Sequence, residues 1–188
     1  MDFSSVMVDR ELRDGGPKTP CKWTSCSEIY TDYMKPAINV TLNTGLRRGA
    51  LFALRWNDVN FDERIITVRA AAAKSGKTIY IPMNDTVYRV LLAWQQQTHE
   101  EDETLVFHSS RGTPIGSIHY LWGKLLNSAE IKDFRWHDMR HDFASRLVMA
   151  GIDLNTVREL LGHSNLNMTL RYAHLAPGVK REAVKVLE

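Results

Sequence analysis

The residues with the clearest capacity for chemistry lie in one stretch near the C-terminus, from Trp136 to His174. The candidates within it are histidines, arginines and a tyrosine, namely His137, His141, His163, Arg140, Arg146, Arg171 and Tyr172. Arginine and histidine side chains donate hydrogen bonds to phosphate oxygens, and a tyrosine phenol is a competent nucleophile once it is activated. The stretch therefore predicts a site for a phosphate group.

A helix is predicted to carry the first of these groups. Apolar residues recur at helical spacing at Met139, Phe143 and Leu147, which we assign to the core. His137 and Arg140 are three residues apart, so on a helix they share a face. The polar groups would thus lie on a helix that also buries part of the core.

The second half of the stretch predicts a turn between two more helices. Gly162 follows an apolar run and suits a helix C-cap, which leaves His163 in the turn beyond it. Ser164 would then cap a helix that ends with Arg171 and Tyr172. This order brings a histidine and a tyrosine close to the first helix.

Further helices are predicted upstream. Residues 28–44 have a helical pattern on both sides of Pro36, which should break or kink the helix there. Gly45 gives a turn, and Arg47–Trp56 reads as the next helix. An arginine at a helix N-terminus is unfavourable for the helix dipole, so Arg47 is a candidate anion ligand as well as an ordinary solvated charge.

Alternating and β-branched residues predict a hairpin of Arg64–Ala70 with Thr78–Met83, and Lys74 lies near its tip. Helical patterns return at Asp85–Gln97 and at Ser117–Glu130. The predicted fold class is therefore mainly α with a small antiparallel β-sheet.

Composition sets the limits on function. The chain has 188 residues, 44% of them hydrophobic and 24% charged, which suits one soluble domain with a tail. It shows no bilayer-spanning run and no signal-peptide pattern, so we expect a cytoplasmic protein without a membrane partner. A formal charge of only +2 means that nucleic-acid binding would need a local cluster of Lys and Arg. Cys21 and Cys26 read as two reduced thiols.

Five short motifs resemble, in order, those of the tyrosine recombinases of the phage integrase family. They are TGLR at Thr44–Arg47, Lys74 ahead of Ile81–Met83, HDMRH at His137–His141, LGH at Leu161–His163, and MTLRYAH at Met168–His174. The resemblance covers residue 28 to the C-terminus. It implies an integrase-like catalytic domain that carries out site-specific DNA recombination, integration or excision, in a mobile element.

The resemblance implies that Tyr172 attacks the scissile phosphate and forms a 3′-phosphotyrosyl intermediate. Arg47 and Arg140 would stabilise the negative charge of the transition state with planar, bidentate donors. This cationic clamp would replace the metal ions of many phosphoryl-transfer sites, so no metal or other cofactor and no nucleotide is expected.

It also implies three supporting roles. Lys74 would be the general acid that protonates the leaving 5′-oxygen. His137 would accept or relay the proton of Tyr172, and His163 would donate a hydrogen bond to a phosphate oxygen. His141, Arg146 and Arg171 would play only supporting parts.

We expect three segments: a lead-in or linker remnant at 1–27, the catalytic domain at 28–177, and a C-terminal tail helix at 178–188. The implied partner is double-stranded DNA carrying an att-type site, bound by a homotetramer. The family's N-terminal DNA-clamping domain is expected to be missing, which would weaken DNA binding because phosphate contacts are lost.

One departure from the family pattern keeps an alternative open. Three residues after Arg47 the family usually has a carboxylate that supports the site, whereas this chain has Ala50. A recombinase-like DNA-binding protein without strand cleavage is therefore the alternative function. A zinc hydrolase built on His137 and His141 would need a further ligand that HDMRH does not supply. A type IB topoisomerase would share the chemistry, but the LGH and MTLRYAH motifs favour an integrase.

Overall fold

The structure is a computed structural model that describes residues 30–73, 76–98 and 104–176. The expectations for segments 1–27 and 178–188, and for Lys74, lie outside the described residues. By their contacts, residues 116–134 belong to one compact unit and the other described residues to a second, larger one.

The described residues form seven α-helices: α1 Met34–Thr44, α2 Arg48–Phe52, α3 Asp85–Thr98, α4 His119–Ser128, α5 Asp138–Met149, α6 Leu154–Leu161 and α7 Asn167–Leu170. Short 3₁₀ turns follow α2 at Trp56–Asp58 and α7 at Ala173–Leu175. None of the described helices is both long enough and apolar enough to cross a membrane.

Three short strands form an antiparallel sheet in the order β1 Val59–Asn60, β2 Ile65–Val68 and β3 Ile79–Pro82. Ile66 at the centre of β2 pairs with Val59 on one side and Ile81 on the other. The predicted hairpin and the mainly α fold class are therefore confirmed, and β1 is an addition too short for its pattern to have been visible.

The prediction that Pro36 breaks a longer helix is wrong. Helix α1 begins at Met34, so Pro36 lies in its first turn, where a missing N–H costs nothing because that group has no partner within the helix. The Asp32 carboxylate accepts a hydrogen bond from the Met34 N–H at 2.8 Å, which marks this start. The helix predicted at Arg47–Trp56 is also shorter, because α2 ends at Phe52.

Helix α5 is the element on which the larger unit's site is built, because it packs against α1 on one side and α6 on another. Ala144 and Val148 of α5 join Val157 and Leu161 of α6 in a buried cluster that also includes the ring of Tyr172. Met139 is buried as predicted, while Phe143 and Leu147 are half-buried and pack against the cluster. The core thus fixes the tyrosine relative to α5.

The smaller unit contributes α4 among the described residues. Its Trp122 ring lies 6.0 Å from that of Phe134 between centroids, and the indole Nε1 donates to the Phe134 carbonyl at 3.3 Å. This contact ties the helix to the segment that follows it.

Candidate active site

Five of the six predicted site residues line one cavity of about 310 Å³ in the larger unit. Its walls are Arg47, Arg140, Arg171, His137, His141, His163, Asn167, Met168 and Tyr172. Lys74, the sixth, lies outside the described residues. Since none of the lining residues is a carboxylate, the described wall carries positive charge without a neutralising acid.

Arg140 is the most deeply buried cation of the site, with 4% of its surface exposed. Its Nη1 donates to the Gly45 carbonyl at 2.7 Å, and its Nη2 donates to the Leu161 carbonyl at 2.5 Å. Both carbonyls lie at the C-terminal ends of helices, where the dipole places partial negative charge. Burial, and then the charge of Arg47, lower the pKa of Arg140 to about 9, so it stays protonated at neutral pH.

Two glycines shape the helix ends that hold this arginine. Gly45 caps α1 with φ 63° and Gly162 caps α6 with φ 60°, in the left-handed conformation that side chains disfavour. A Cβ on Gly45 would lie 2.5 Å from Cδ1 of Phe143, and a Cβ on Gly162 would lie 2.1 Å from Cδ1 of Ile79. The predicted C-cap at Gly162 is confirmed, and both turns present a carbonyl to Arg140 because their caps are glycines.

Arg47 approaches the cavity from the N-cap of α2, with extended backbone angles and a half-buried side chain. Burial lowers the pKa of Arg47, because removing a guanidinium from water disfavours its charged form. Arg47 lowers the proton affinity of Arg140, and no acid is among the residues that line the cavity, so the two arginines are arranged to receive an anion.

Tyr172 is 6% exposed, and its ring belongs to the apolar cluster between α5 and α6. Its hydroxyl lies 2.5 Å from Nδ1 of His141. Burial raises the pKa of the Tyr172 phenol, and the charges of Arg171 and Arg140 oppose this effect. The phenol is therefore protonated and hydrogen-bonded at neutral pH.

The partner of that hydroxyl differs from the sequence-based expectation, which gave the contact to His137. His137 is the exposed N-cap residue of α5, and its ring lies 4.9 Å from that of His141, edge to face. Burial lowers the pKa of both histidines, and nearby positive charges lower it further. His141, which the sequence ranked as a supporting residue, thus makes the contact with the phenol, and its position one helical turn after His137 was the available signal.

His163 follows the Gly162 cap, as predicted, and is 8% exposed. Its Nδ1 lies 2.8 Å from the hydroxyl of Thr169, which is itself fully buried. Burial, followed by the charges of Arg140 and Arg47, lowers the pKa of His163 to about 4, so the ring is neutral. Thr169 is a second residue that the sequence analysis missed, and no spacing rule points to it.

The prediction that Ser164 caps the helix before Tyr172 is wrong. Helix α7 begins at Asn167 without a side-chain cap at Leu166, and the Asn165 side chain accepts from the Asn167 N–H at 2.9 Å. The helix also ends at Leu170, so Arg171 and Tyr172 lie in the turn after it. This turn points the last cation and the phenol at the same cavity.

Arg146, the other arginine expected to support the site, has a structural role. Arg146 forms an ion pair with Asp142 at 2.9 Å, and its guanidinium also donates to the Leu42 carbonyl of α1. In the part of the chain that the structure describes, no three His, Cys, Asp or Glu side chains are grouped to hold a metal ion. His137 and His141 therefore lack a third protein ligand of these types there.

Sequence comparison identifies the family. The model of the phage integrase family matches residues 19–178, so this chain belongs to that family. The match begins upstream of the start expected at residue 28. The integrase of Salmonella phage P22 is 31% identical over 166 residues, which are 82% of this chain and 42% of that protein. A tyrosine recombinase of Thermosipho africanus is 33% identical over 155 residues, covering 81% and 53% of the two chains.

Solved structures support the same fold. The Tn1549 transposon integrase in complex with transposon right end DNA superimposes with a TM-score of 0.70 at 26% identity, over 81% of this chain and 58% of that one. The catalytic domain of bacteriophage HP1 integrase gives a TM-score of 0.63 at 25% identity and covers 81% of both chains. The chain spans about half the length of the curated relatives it matches. The resemblance to a tyrosine recombinase catalytic domain is thereby confirmed.

Proposed function

We propose that this chain cleaves and rejoins double-stranded DNA at a specific site through a covalent bond to Tyr172. The observation that carries the proposal is the cavity itself, in which three arginines and a tyrosine meet without a carboxylate among the lining residues. Such a cavity suits a phosphodiester, because an anion would relieve the repulsion between the guanidiniums.

The proposed step is an in-line displacement at phosphorus. The Tyr172 oxygen forms a bond to the scissile phosphorus, the bond from phosphorus to the 5′-oxygen breaks, and the DNA keeps a 3′-phosphotyrosyl ester. The phenol proton leaves to a histidine of the cavity, and the 5′-oxygen takes up a proton. Attack by a 5′-hydroxyl reverses every step, so the phosphodiester is rebuilt without another energy source.

The two arginines would bind the non-bridging oxygens of the phosphate. Arg140 has five N–H donors, and the two hydrogen bonds to Gly45 and Leu161 leave others for an anion. Because the helix C-termini fix its plane before the substrate arrives, little reorganisation is needed in the transition state. Arg47, which lines the same cavity, would add a second positive charge.

His163 would supply a third contact to the phosphate by donating a hydrogen bond to one of its oxygens. A neutral imidazole has one N–H, and the Thr169 hydroxyl can donate to Nδ1, which leaves the hydrogen on Nε2. The contact with Thr169 would therefore select the tautomer that can face an anion. Lys74 of the hairpin would protonate the 5′-oxygen as the general acid.

The proposed partner is an att-type DNA site, bound by four copies of the chain or of the protein to which it belongs. DNA as the partner is supported by the likeness of this chain to the Tn1549 integrase in complex with transposon right end DNA. We expect weak binding by this catalytic domain alone, because it offers phosphate contacts to one face of the duplex.

A suicide-substrate experiment tests the proposal. A nicked duplex carrying a candidate attachment site should give a covalent protein–DNA adduct that survives a denaturing gel. Tyr172→Phe should bind the same DNA with similar affinity and give no adduct, since only the hydroxyl is removed. Adduct formation by Tyr172→Phe would sink the assignment of the nucleophile.

A second candidate, DNA binding without cleavage, is favoured by one feature of the site. Ala50 is buried and lines a small void of about 20 Å³ that Arg47 and Arg140 also line. The supporting carboxylate expected in this family at Ala50 would lie beside these arginines, and a methyl group cannot replace its hydrogen bonds. Retention of the duplex by the unaltered chain with no adduct on any cognate site would favour this candidate.

A further inference from the structure

We propose that His141 is the group that takes the proton from Tyr172 during attack on the phosphate, a step that rests on the proposed function. In this assignment the imidazole Nδ1 of His141 is a catalytic base in cleavage. The same nitrogen returns the proton to the phenol oxygen when the phosphotyrosyl bond is broken.

The contact that supports this assignment is the 2.5 Å distance between the Tyr172 hydroxyl and Nδ1 of His141. The phenol is protonated, and in the tautomer of His141 that carries its hydrogen on Nε2 the phenol donates to the unprotonated Nδ1. A base must lie within hydrogen-bond reach of the proton that it removes, and His141 meets this condition before any substrate is bound. The hydroxyl of Tyr172 has no hydrogen bond to His137 in the structure.

The placement of His141 follows from the packing of α5. His137, His141, Ala144 and Val148 form one stripe along the helix at the spacing of four, three and four residues. The Tyr172 ring packs on the apolar half of this stripe, with Ala144 and Val148. Its hydroxyl therefore reaches the next position towards the helix start, which is His141, while His137 lies a further turn away at the exposed end.

The charges around His141 suit a base that is neutral before the reaction. Burial lowers its pKa first, followed by the charge of Arg171, while Asp138 raises it and Arg135 and Arg140 lower it. A phosphate in the cavity brings negative charge next to the same ring, which favours its protonated form. The base thus becomes stronger when the substrate is present, which is when the proton must move.

The proton count of the step is balanced. The phenol O–H bond breaks as the O–P bond forms, the proton passes to Nδ1 of His141, and the electron pair of the broken P–O bond goes to the 5′-oxygen. That oxygen receives its own proton from a separate acid. His137 also lines the cavity and contacts the ring of His141 edge to face, so in this assignment it positions the base.

A measurement without DNA tests the pairing. Nitrogen-15 NMR of the histidine rings across pH should show His141 in a neutral form with an unprotonated Nδ1 at pH 7. Tyr172→Phe removes the donor to that nitrogen, so the pKa of His141 should rise, whereas the ring nitrogen signals of the exposed His119 at a fixed pH should not move. An unchanged His141 titration would overturn the pairing.

Single-turnover cleavage of the nicked duplex tests the catalytic step. His141→Gln should slow adduct formation about 100-fold at pH 7, with DNA affinity retained, and the rate should keep rising with pH because hydroxide replaces the base. His137→Gln should lose less, and His119→Gln on α4 is the matched control that should lose nothing.

A substrate with sulfur in place of the bridging 5′-oxygen separates base from acid. A thiolate leaves without a proton, so a defect in the acid is repaired on this substrate while a defect in the base persists. His141→Gln should remain slow. The assignment would be overturned if the sulfur substrate restored the rate of His141→Gln. It would also be overturned if His141→Gln cleaved the nicked duplex within threefold of the rate of the unaltered chain, or if His137→Gln lost more activity than His141→Gln. If the unaltered chain forms no adduct at all, it is the proposed function that fails.

Discussion

Replacing Gly45 by alanine would test how the site holds its buried arginine. Gly45 has φ 63°, where an alanine is strained, and the new Cβ would lie 2.5 Å from Cδ1 of Phe143 and 3.0 Å from Cδ2 of Leu161. The carbonyl of the same residue accepts the hydrogen bond from Arg140. The substitution should therefore strain the fold and move the arginine together.

The expected loss of stability has two parts. Placing alanine in the left-handed region costs about 1 kcal/mol. Forcing a methyl group against the half-buried Phe143 ring adds about 1–3 kcal/mol of overpacking. The free energy of unfolding should thus fall by about 2–4 kcal/mol, which for a chain of this size lowers the Tm by about 4–16 °C.

Urea unfolding followed by circular dichroism measures this loss. Gly49→Ala is the matched control, because Gly49 is an exposed helical position of α2 with no atom within 4 Å of the new Cβ. Alanine there should be neutral or stabilise the protein by about 0.5–1 kcal/mol. Cleavage measured where Gly45→Ala is still folded should be at least about tenfold slower, since a small displacement of Arg140 weakens its contact with the phosphate.

A second variant makes the reasoning refutable. Phe143→Leu removes the ring atom that the new Cβ would strike, so the double variant should recover about 1–2 kcal/mol relative to the sum of the single changes. Additive losses would show that the clash with Phe143 does not exist. A Gly45→Ala protein as stable as the Gly49→Ala control would refute the left-handed turn as well.

Two further predictions concern the cations and the histidines. Arg140→Lys should slow single-turnover cleavage by about 10²–10³-fold, with a smaller loss of DNA affinity. The reason is that one ammonium group cannot contact both helix ends and a phosphate, as the planar guanidinium can. A rate within tenfold of the unaltered chain would contradict this. Because His163 has a pKa of about 4 in the folded chain, below the value of about 6.5 in an unfolded one, its contribution to stability is full above pH 6.5 and declines as pH falls towards 4. Urea unfolding between pH 7 and 5 should show a fall of up to about 1.4 kcal/mol per pH unit from this residue, and His163→Gln should flatten the curve.

Much of the fold could be predicted because its elements have strong periodicity. The hairpin, α3 and α4 follow their patterns closely. The start of α1 could not be read, because Pro36 is equally at home in a first turn and at a break. The turn before Tyr172 was also misread, since Ser164 is a good cap by type but the chain uses the Asn165 side chain instead.

The candidate site was predictable where residue type and order define the chemistry, as for Arg47, Arg140 and Tyr172. The contacts that hold these residues in place could not be predicted, because they join elements that are far apart in sequence. Arg140 bonds to a carbonyl 95 residues upstream, and no pattern in the chain indicates which carbonyl a buried guanidinium will meet. His137 and His141 share a helix face, so only the approach of Tyr172 decides which one it contacts.

The way in which Arg140 is held explains why the cavity should favour an anion over water. Arg140 loses most of its hydration, and two helix ends supply only partial negative charge, so its pKa remains at about 9 instead of its ordinary value. Burial, together with the nearby positive charges, also lowers the pKa of His137, His141 and His163. A bound phosphate would oppose all of these shifts at once, so by linkage phosphate binding and protonation of the cavity must favour each other. In the proposed reaction, a phosphate that enters the cavity would therefore offset part of the free energy cost of burying Arg140 without a carboxylate partner.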